Sequence, residues 1–577
     1  MRGRIFGAAL AALAAAPLNA VPAARSTTVA VTSDGQRVIA ANRDSGSVTV
    51  IDAARRVILA EVAVCNEPET VAAAERVYVA CADGTLAALA LNPPRVIAQR
   101  NLGLPLFGVV AGASRLFVTS PSAGVLLSLD PESLATQKTL SLPPQPRGLA
   151  VDGERLYVTH FSTGALTAIH PASLTVAAIV ETGLDHNLAQ SVWISDGRAW
   201  LPQTRSNTAN PALLFDTTVF PVVAVVNLET QQNLQRERIS IDTADRPVNM
   251  PLDAVTTAGK IYIVNAGSDD VSVIDLVRRI ATAHLSVGSN PRGIALSLDG
   301  RFAYVNNALS GTLSVIDTSL DQVIDEIRLT NIALPRDVLN GKRLFHTSNS
   351  TALAKDRWIS CATCHFDGGA DGRTWFFRDG PRNTTALFGL GETLPMHWSG
   401  DLDELQDVES TIRNIQAGSG LAPGASNCEP ACDHAPPNAG RSADLDDLAA
   451  FMRALRAPRH PGYDRAAASR GAVHFFDSRT RCASCHIPPL YTDRTRHDVG
   501  TGRSPGERKG TSFDTPSLRG IYATPPYFHD GSAASLADVV NGATGVHGDT
   551  RPLTPEQRND LVEFLRSLDF DVPRRRA

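Results

Sequence analysis

The sequence predicts a multidomain chain, an all-β propeller of about seven blades followed by a mainly α domain pair. Three observations carry this. A strand pattern recurs along the first half with a period of roughly forty residues, the spacing of propeller blades. After Pro335 the short alternating strands give way to helical segments between Gly- and Pro-rich loops. The 577 residues also exceed what one hydrophobic core organises.

The repeat is clearest in three copies: Arg37–Asn42 with Ser47–Asp52, Lys260–Asn265 with Val271–Asp275, and Phe302–Asn306 with Thr312–Asp317. Each pairs a β-branched run with an alternating strand that closes on Asp, then a further strand and a Pro-containing turn. Weaker copies centre on Val77–Ala80, Leu116–Thr119, Leu156–Thr159 and Ala199–Pro202, with an insertion in the fifth near Arg205–Thr218. These blades resemble the YVTN family of bacterial propellers, whose signature survives in variants such as Tyr157–His160. The resemblance implies a fold and little about activity. It delimits a propeller over residues 26–335.

Residues 1–23 read as an export signal, with Arg2 and Arg4 ahead of the apolar stretch Ile5–Ala16 and small residues at Ala20 and Ala23. The stretch is too short for a membrane span. Export to the periplasm implies an oxidising compartment. A net charge of -5 with interspersed signs leaves no basic stripe, so no nucleic acid partner is expected.

The eight cysteines divide into three groups. Cys65 with Cys81, at strand ends of neighbouring blades, and Cys428 with Cys432 are disulfide candidates; for the first pair two separately buried thiols are the alternative. The other four form Cys361-Ala-Thr-Cys364-His365 and Cys482-Ala-Ser-Cys485-His486. Two thiols on one helical turn can form thioethers to both vinyl groups of a haem, with the adjacent histidine as axial ligand. Two covalently bound haem c groups are therefore expected. A four-cysteine zinc site would leave both histidines unexplained, and a thioredoxin-like motif needs a βαβ context that the sequence lacks.

The two motifs lie in a duplication. Gly341–Phe345 parallels Gly471–Phe475, Thr385–Gly389 with Leu394–Gly400 parallels Pro516–Gly520 with Pro525–Gly531, and two haem-binding halves follow, 336–460 and 461–577. Together with Gly380-Pro-Arg-Asn383, Trp398-Ser-Gly400 and Pro526-Tyr-Phe-His-Asp-Gly531, these motifs resemble the bacterial di-haem cytochrome c peroxidase and MauG family. That resemblance implies that the first haem is the peroxide site and the second an electron-transfer haem, with Trp398 between them. It also implies a calcium ion held by Asn383 and by the carbonyls of Thr524 and Pro526, and hydrogen peroxide as a substrate. Electrons would come from a small periplasmic cytochrome c or cupredoxin, or from a protein substrate. The family's distal glutamate suggests Glu409, with Gln406 as an alternative.

Two departures bear on mechanism. The family's histidine before Gly-Pro-Arg-Asn is absent, since Arg373–Arg378 contains none, which implies an open first haem as in MauG. No methionine follows Met452, so the second haem needs another sixth ligand; His547 is the candidate and His529 the runner-up. His397 is placed beside the first haem pocket. The sequence reads as a periplasmic di-haem peroxidase or oxidase. The alternative is an electron-transfer or docking protein with two six-coordinate haems.

Overall fold

The computed structural model describes residues 24–241, 246–424 and 436–570. The expected export signal over residues 1–23 and the expected Cys428–Cys432 disulfide lie outside the described residues. Seven antiparallel sheets of four to six strands succeed one another over residues 29–63, 68–101, 109–141, 146–180, 186–240, 251–286 and 291–328. They form a seven-bladed propeller. In the seventh blade, Phe302–Asn307 and Thr312–Asp317 are buried along almost their whole length, whereas the outer strand Gln322–Arg328 alternates exposed and half-buried residues. Middle strands sandwiched between neighbouring blades must be apolar on both faces, while the outer strand keeps one face in water.

The recurring asparagine has a structural reason. Asn42 Nδ2 donates to Ser47 Oγ (2.9 Å) and Thr49 Oγ1 (2.8 Å). Asn307 Nδ2 donates to Thr312 Oγ1 (3.1 Å) and Ser314 Oγ (2.9 Å), and Asn265 Nδ2 to Asp270 Oδ1 and Ser272 Oγ, both at 2.8 Å. A buried amide at the end of the second strand thus satisfies polar groups on the third, which pins hairpin register.

The ring closes without exchanging a strand, because the first and the last blade are each built from consecutive segments. A short N-terminal segment ties the ring together from inside instead. Ala24 and Arg25 pair with Val151 and Ala150 of the fourth blade, and Thr27 bridges to Val71 of the second. The Arg25 guanidinium binds Asp253 of the sixth blade and the Ile294 carbonyl of the seventh. Cys65 and Cys81 form a disulfide between the first two blades, with Cα atoms 6.4 Å apart.

Beyond Pro335 the chain forms α1 (Arg336–His346), α2 (Cys361–Cys364), α3 (Val408–Asn414), α4 (Ala443–Ala454), α5 (Arg465–Phe475), α6 (Leu536–Gly542) and α7 (Pro555–Arg566). Helix α4 starts at Ser442, whose side chain accepts from Leu445 N, and α7 at a Thr554–Gln557 capping box. No described helix is long and apolar enough to cross a membrane.

The duplication is visible as two helix pairs. Helix α1 crosses α4 at Gly341, and α5 crosses α7 at Gly471; a Cβ at either glycine would lie 1.9 Å from the carbonyl oxygen of Asp447 or Asp560 respectively. One turn on, the Phe345 and Phe451 rings meet edge to face at 5.1 Å, and those of Phe475 and Phe564 meet at a tilt of 50° at 4.9 Å. The glycines are therefore contact residues. In an open helix, glycine to alanine stabilises by about 1 kcal/mol. Here Gly471→Ala should have the opposite sign, destabilising by about 1–3 kcal/mol through overpacking, which denaturant unfolding of the second half would measure.

Candidate functional site

Each Cys-x-x-Cys-His motif follows the same local logic. His365 Nδ1 donates to the Thr385 carbonyl (2.9 Å) and His486 Nδ1 to the Tyr491 carbonyl (3.1 Å). With Nδ1 committed as a donor, each imidazole keeps its Nε2 lone pair as a ligand. Burial pushes both histidines down to about 4, so they are neutral at physiological pH. None of Cys361, Cys364, Cys482 and Cys485 is disulfide-bonded.

In the second half, Cys482, Cys485, His486, Phe528 and His547 line a cavity of about 430 Å³. The His486 and His547 ring centres are 6.2 Å apart at an interplanar angle of 86°. Two imidazole nitrogens each about 2 Å from one metal ion leave ring centres roughly 6 Å apart, so the pair has the spacing of two axial ligands. His547 Nδ1 is buried with no hydrogen-bond partner among the described residues, and Phe528 packs on the ring at 5.2 Å. Two thiols spaced for thioethers, a neutral imidazole and a second imidazole 6.2 Å from it are groups that could hold a covalently bound haem. The runner-up His529 also lines this cavity, but its ring stacks on Phe513 at 3.8 Å and lies 6.4 Å from the Trp398 ring.

Trp398 and His529 are counterparts in the duplication, and they face one another where the halves meet. The backbone bonds around them are reciprocal. Asn383 N donates to the His529 carbonyl (2.6 Å), and Asp514 N, its counterpart, donates to the Trp398 carbonyl (2.8 Å). The Trp398 indole also donates to the Asn383 carbonyl (2.9 Å). Asn383 Nδ2 reaches the Pro526 carbonyl at 2.5 Å, while Asn383 Oδ1 is buried with no partner among the described residues. Two of the expected calcium ligands are thus brought together; the Thr524 hydroxyl donates to the Ile521 carbonyl at 3.2 Å.

The expected distal groups are engaged elsewhere. Glu409 is fully buried in the first turn of α3, where its carboxylate accepts from Arg413 Nε (2.8 Å), Leu421 N (2.8 Å) and Ala422 N (3.2 Å). It anchors a loop, because a buried carboxylate is held by its donors. Gln406 donates to Asp446 Oδ1 (2.8 Å) and ties the turn before α3 to α4. His397 donates from Nδ1 to Asp401 (2.8 Å), and Lys509 pairs with the same carboxylate. Burial alone would raise the Asp401 pKa; the hydrogen bond from His397 and the Lys509 ammonium outweigh it and lower it.

The residues that follow His365 carry a feature that sequence patterns did not flag. Phe366 and Asp367 insert into the mouth of the propeller. Arg292 grips the Asp367 carboxylate with both arms (2.9 and 2.5 Å), Arg43 lies 3.4 Å away, and His346 Nε2 donates at 3.0 Å. The Arg147 guanidinium lies 3.7 Å from the Phe161 ring centre and 5.4 Å from that of Phe366. Burial would raise the Asp367 pKa, but the arginines hold it well below the usual carboxylate range. Behind this plug, Asn249 of the propeller donates to the Trp358 carbonyl (3.0 Å) and accepts from Ser360 (3.2 Å) and Thr363 (3.1 Å), around the first motif.

No family model matches the chain. Among curated proteins, it is 29% identical over 280 residues to hydrazine synthase subunit gamma of Kuenenia stuttgartiensis, covering 38% of this chain and 75% of that protein. It is 29% identical over 290 residues to the methylamine utilization protein MauG of Methylorubrum extorquens, covering 41% and 79%. It is 26% identical over 321 residues to the cytochrome c551 peroxidase of Pseudomonas aeruginosa, covering 46% and 88%. The site and these relatives define a haem-dependent oxidoreductase. The chain is a peroxidase-like enzyme that joins a seven-bladed propeller to a segment homologous to cytochrome c peroxidases and MauG.

The Asp367 cluster is testable. Replacing Asp367 by Ala leaves Arg292 buried without its carboxylate, and breaking such a pair costs about 3–5 kcal/mol. Asp367→Ala should lower the unfolding midpoint accordingly. The depressed carboxyl contributes its stability above its unfolded pKa of about 3.9 and loses it as pH falls through the lower folded value, so the deficit of the variant should shrink on acidification below pH 4.

Proposed function

We propose that this protein is a periplasmic di-haem peroxidase or oxidase with an open first haem, reducing hydrogen peroxide with electrons from a small protein donor or a protein substrate. The observation that carries the reading is the spacing of His486 and His547 across the Cys482–Cys485 cavity. It supports a second haem that is fully ligated by protein and suited to electron transfer.

Cys361, Cys364 and His365 would hold the first haem, and Cys482, Cys485, His486 and His547 the second. The haems would supply the redox centres, and peroxide takes up two electrons and two protons to give two waters. Trp398, backed by His529, bridges the halves as the relay. Asn383, Thr524 and Pro526 would hold a calcium ion at the same junction; the unpartnered Asn383 Oδ1 and the Pro526 carbonyl are oxygen donors of the hard kind it prefers. His397, held by Asp401, is an imidazole able to move a proton near the first haem.

Stopped-flow mixing of the as-isolated ferric protein with peroxide tests the reading. Reaction at once is expected; reaction only after one-electron reduction, or ferric haems that are both low-spin and bind no cyanide, would favour an electron-transfer protein. His365→Gly should abolish peroxide reactivity while the second haem stays attached. His547→Ala should turn the ferric second haem from low-spin to high-spin in electron paramagnetic resonance.

A further inference from the structure

The halves differ at one buried position beside the first cysteine of each motif. The same number of residues separates Gln416 from His547 as separates Trp398 from His529 and Asn383 from Asp514. The correspondence is also spatial. Gln416 Nε2 lies 3.8 Å from Cys361 Sγ, and a Cβ on Gly548, next to His547, would lie 4.0 Å from Cys482 Sγ. The two loops follow segments with matching N-terminal caps, Glu404 with Asp407 and Ser535 with Asp538. Gln416 therefore stands in the first half where His547 stands in the second.

We propose that Gln416 is the distal hydrogen-bonding residue of the first haem, facing the ligand that enters its open position. This rests on the reading above that each motif holds one haem. Gln416 is 7% exposed and its Oε1 is buried with no partner among the described residues. Such an oxygen suits a ligand that brings a donor, and Nε2 keeps a second N–H, beyond the one that reaches Cys361 Sγ, to donate to an anion. The backbone is fixed: Gln416 N donates to the Thr411 carbonyl, Lys355 N donates to the Gln416 carbonyl, both at 3.3 Å, and Ala354 bridges to Ala417. A Cβ on Gly418 would come within 2.3 Å of the Ala352 carbonyl, so the loop is pressed against its neighbour. An amide neither titrates nor competes for iron as imidazole does, yet it offers both a donor and an acceptor. His397, the counterpart of Phe528, lies 3.5 Å from Thr411 Oγ1 and so shares this wall.

The duplication supplies its own test, run on holoprotein whose two haems have been verified by haem content. Gln416→His should make the first haem a copy of the second, turning its ferric signal from high-spin to low-spin and weakening cyanide binding roughly tenfold or more. Gln416→Leu should keep the first haem high-spin but weaken fluoride binding roughly tenfold, as loss of one hydrogen bond to an anion requires. A Gln416→His protein that stays high-spin with wild-type cyanide affinity, or a Gln416→Leu protein with unchanged fluoride affinity, overturns the assignment. Wild-type protein with two low-spin ferric haems would instead remove the open-haem reading beneath it, so the two failures are distinguishable.

Discussion

The ion cluster around Asp367 is the constraint on which the arrangement of the two parts depends. Arg43, Glu69, Arg147 and Arg292 come from the first, second, fourth and seventh blades and converge on the propeller mouth. Glu67 and Glu69 both pair with Arg43, at 3.0 and 3.1 Å, so among the described residues no propeller carboxylate lies within salt-bridge distance of Arg147 or Arg292. Asp367 brings one from the other part of the chain, two residues past His365. A matched buried ion pair gains little net stability because desolvation offsets its attraction, but withdrawing one partner leaves an uncompensated buried charge at a cost of about 3–5 kcal/mol. The propeller mouth is therefore complete only with the first Cys-x-x-Cys-His segment seated in it, and the position of His365 is set by the seven-bladed frame.

The second half is held differently. Blade five extends two long strands, and the segment between them supplies Thr208, whose carbonyl accepts from Phe376 N at 2.8 Å; Val219 packs with Trp358 and Trp375 beside the first motif. The second half meets the propeller across a cleft of about 2860 Å³, and its main partner is the first half, through the reciprocal bonds of Asn383 and Asp514. Trp398 and His529 lie on that junction. Any shift of one half against the other must pass through the pair that the proposed electron route uses.

Much of this was legible in the sequence. The blade period, the domain change at Pro335, the insertion near Arg205–Thr218 and the parallel glycines Gly341 and Gly471 are all backbone demands, written as residue types at fixed spacing. His547 stands out as a candidate in the sequence because methionine is absent after Met452 and few imidazoles remain. Glu409 misled because a carboxylate in the right stretch says nothing about helical phase: one turn into α3 it points inward, to Arg413 and two backbone amides. Asp367 escaped notice because its partners lie on separate blades, Arg292 and Arg43 being far from it in sequence, and no local pattern encodes a long-range ion cluster.

Gln416 belongs to the same class of hidden residue, and it shows how a duplicated scaffold can divide labour. The halves share helix crossings, caps, a left-handed residue at His397 and Phe528 (φ 67° in both) and reciprocal backbone bonds. With so much held constant, chemistry can diverge by changing side chains that the fold does not need. An imidazole at His547 suits a closed, electron-carrying centre of low potential. An amide at the matching position suits a centre that must admit a small polar ligand and then release it. Neither side chain is required by the helix pairs behind it, since α1 with α4 and α5 with α7 are fixed by their glycines and phenylalanines. On the proposed reading, the difference between the two sites rests on that single exchange, within a framework that tolerates either residue.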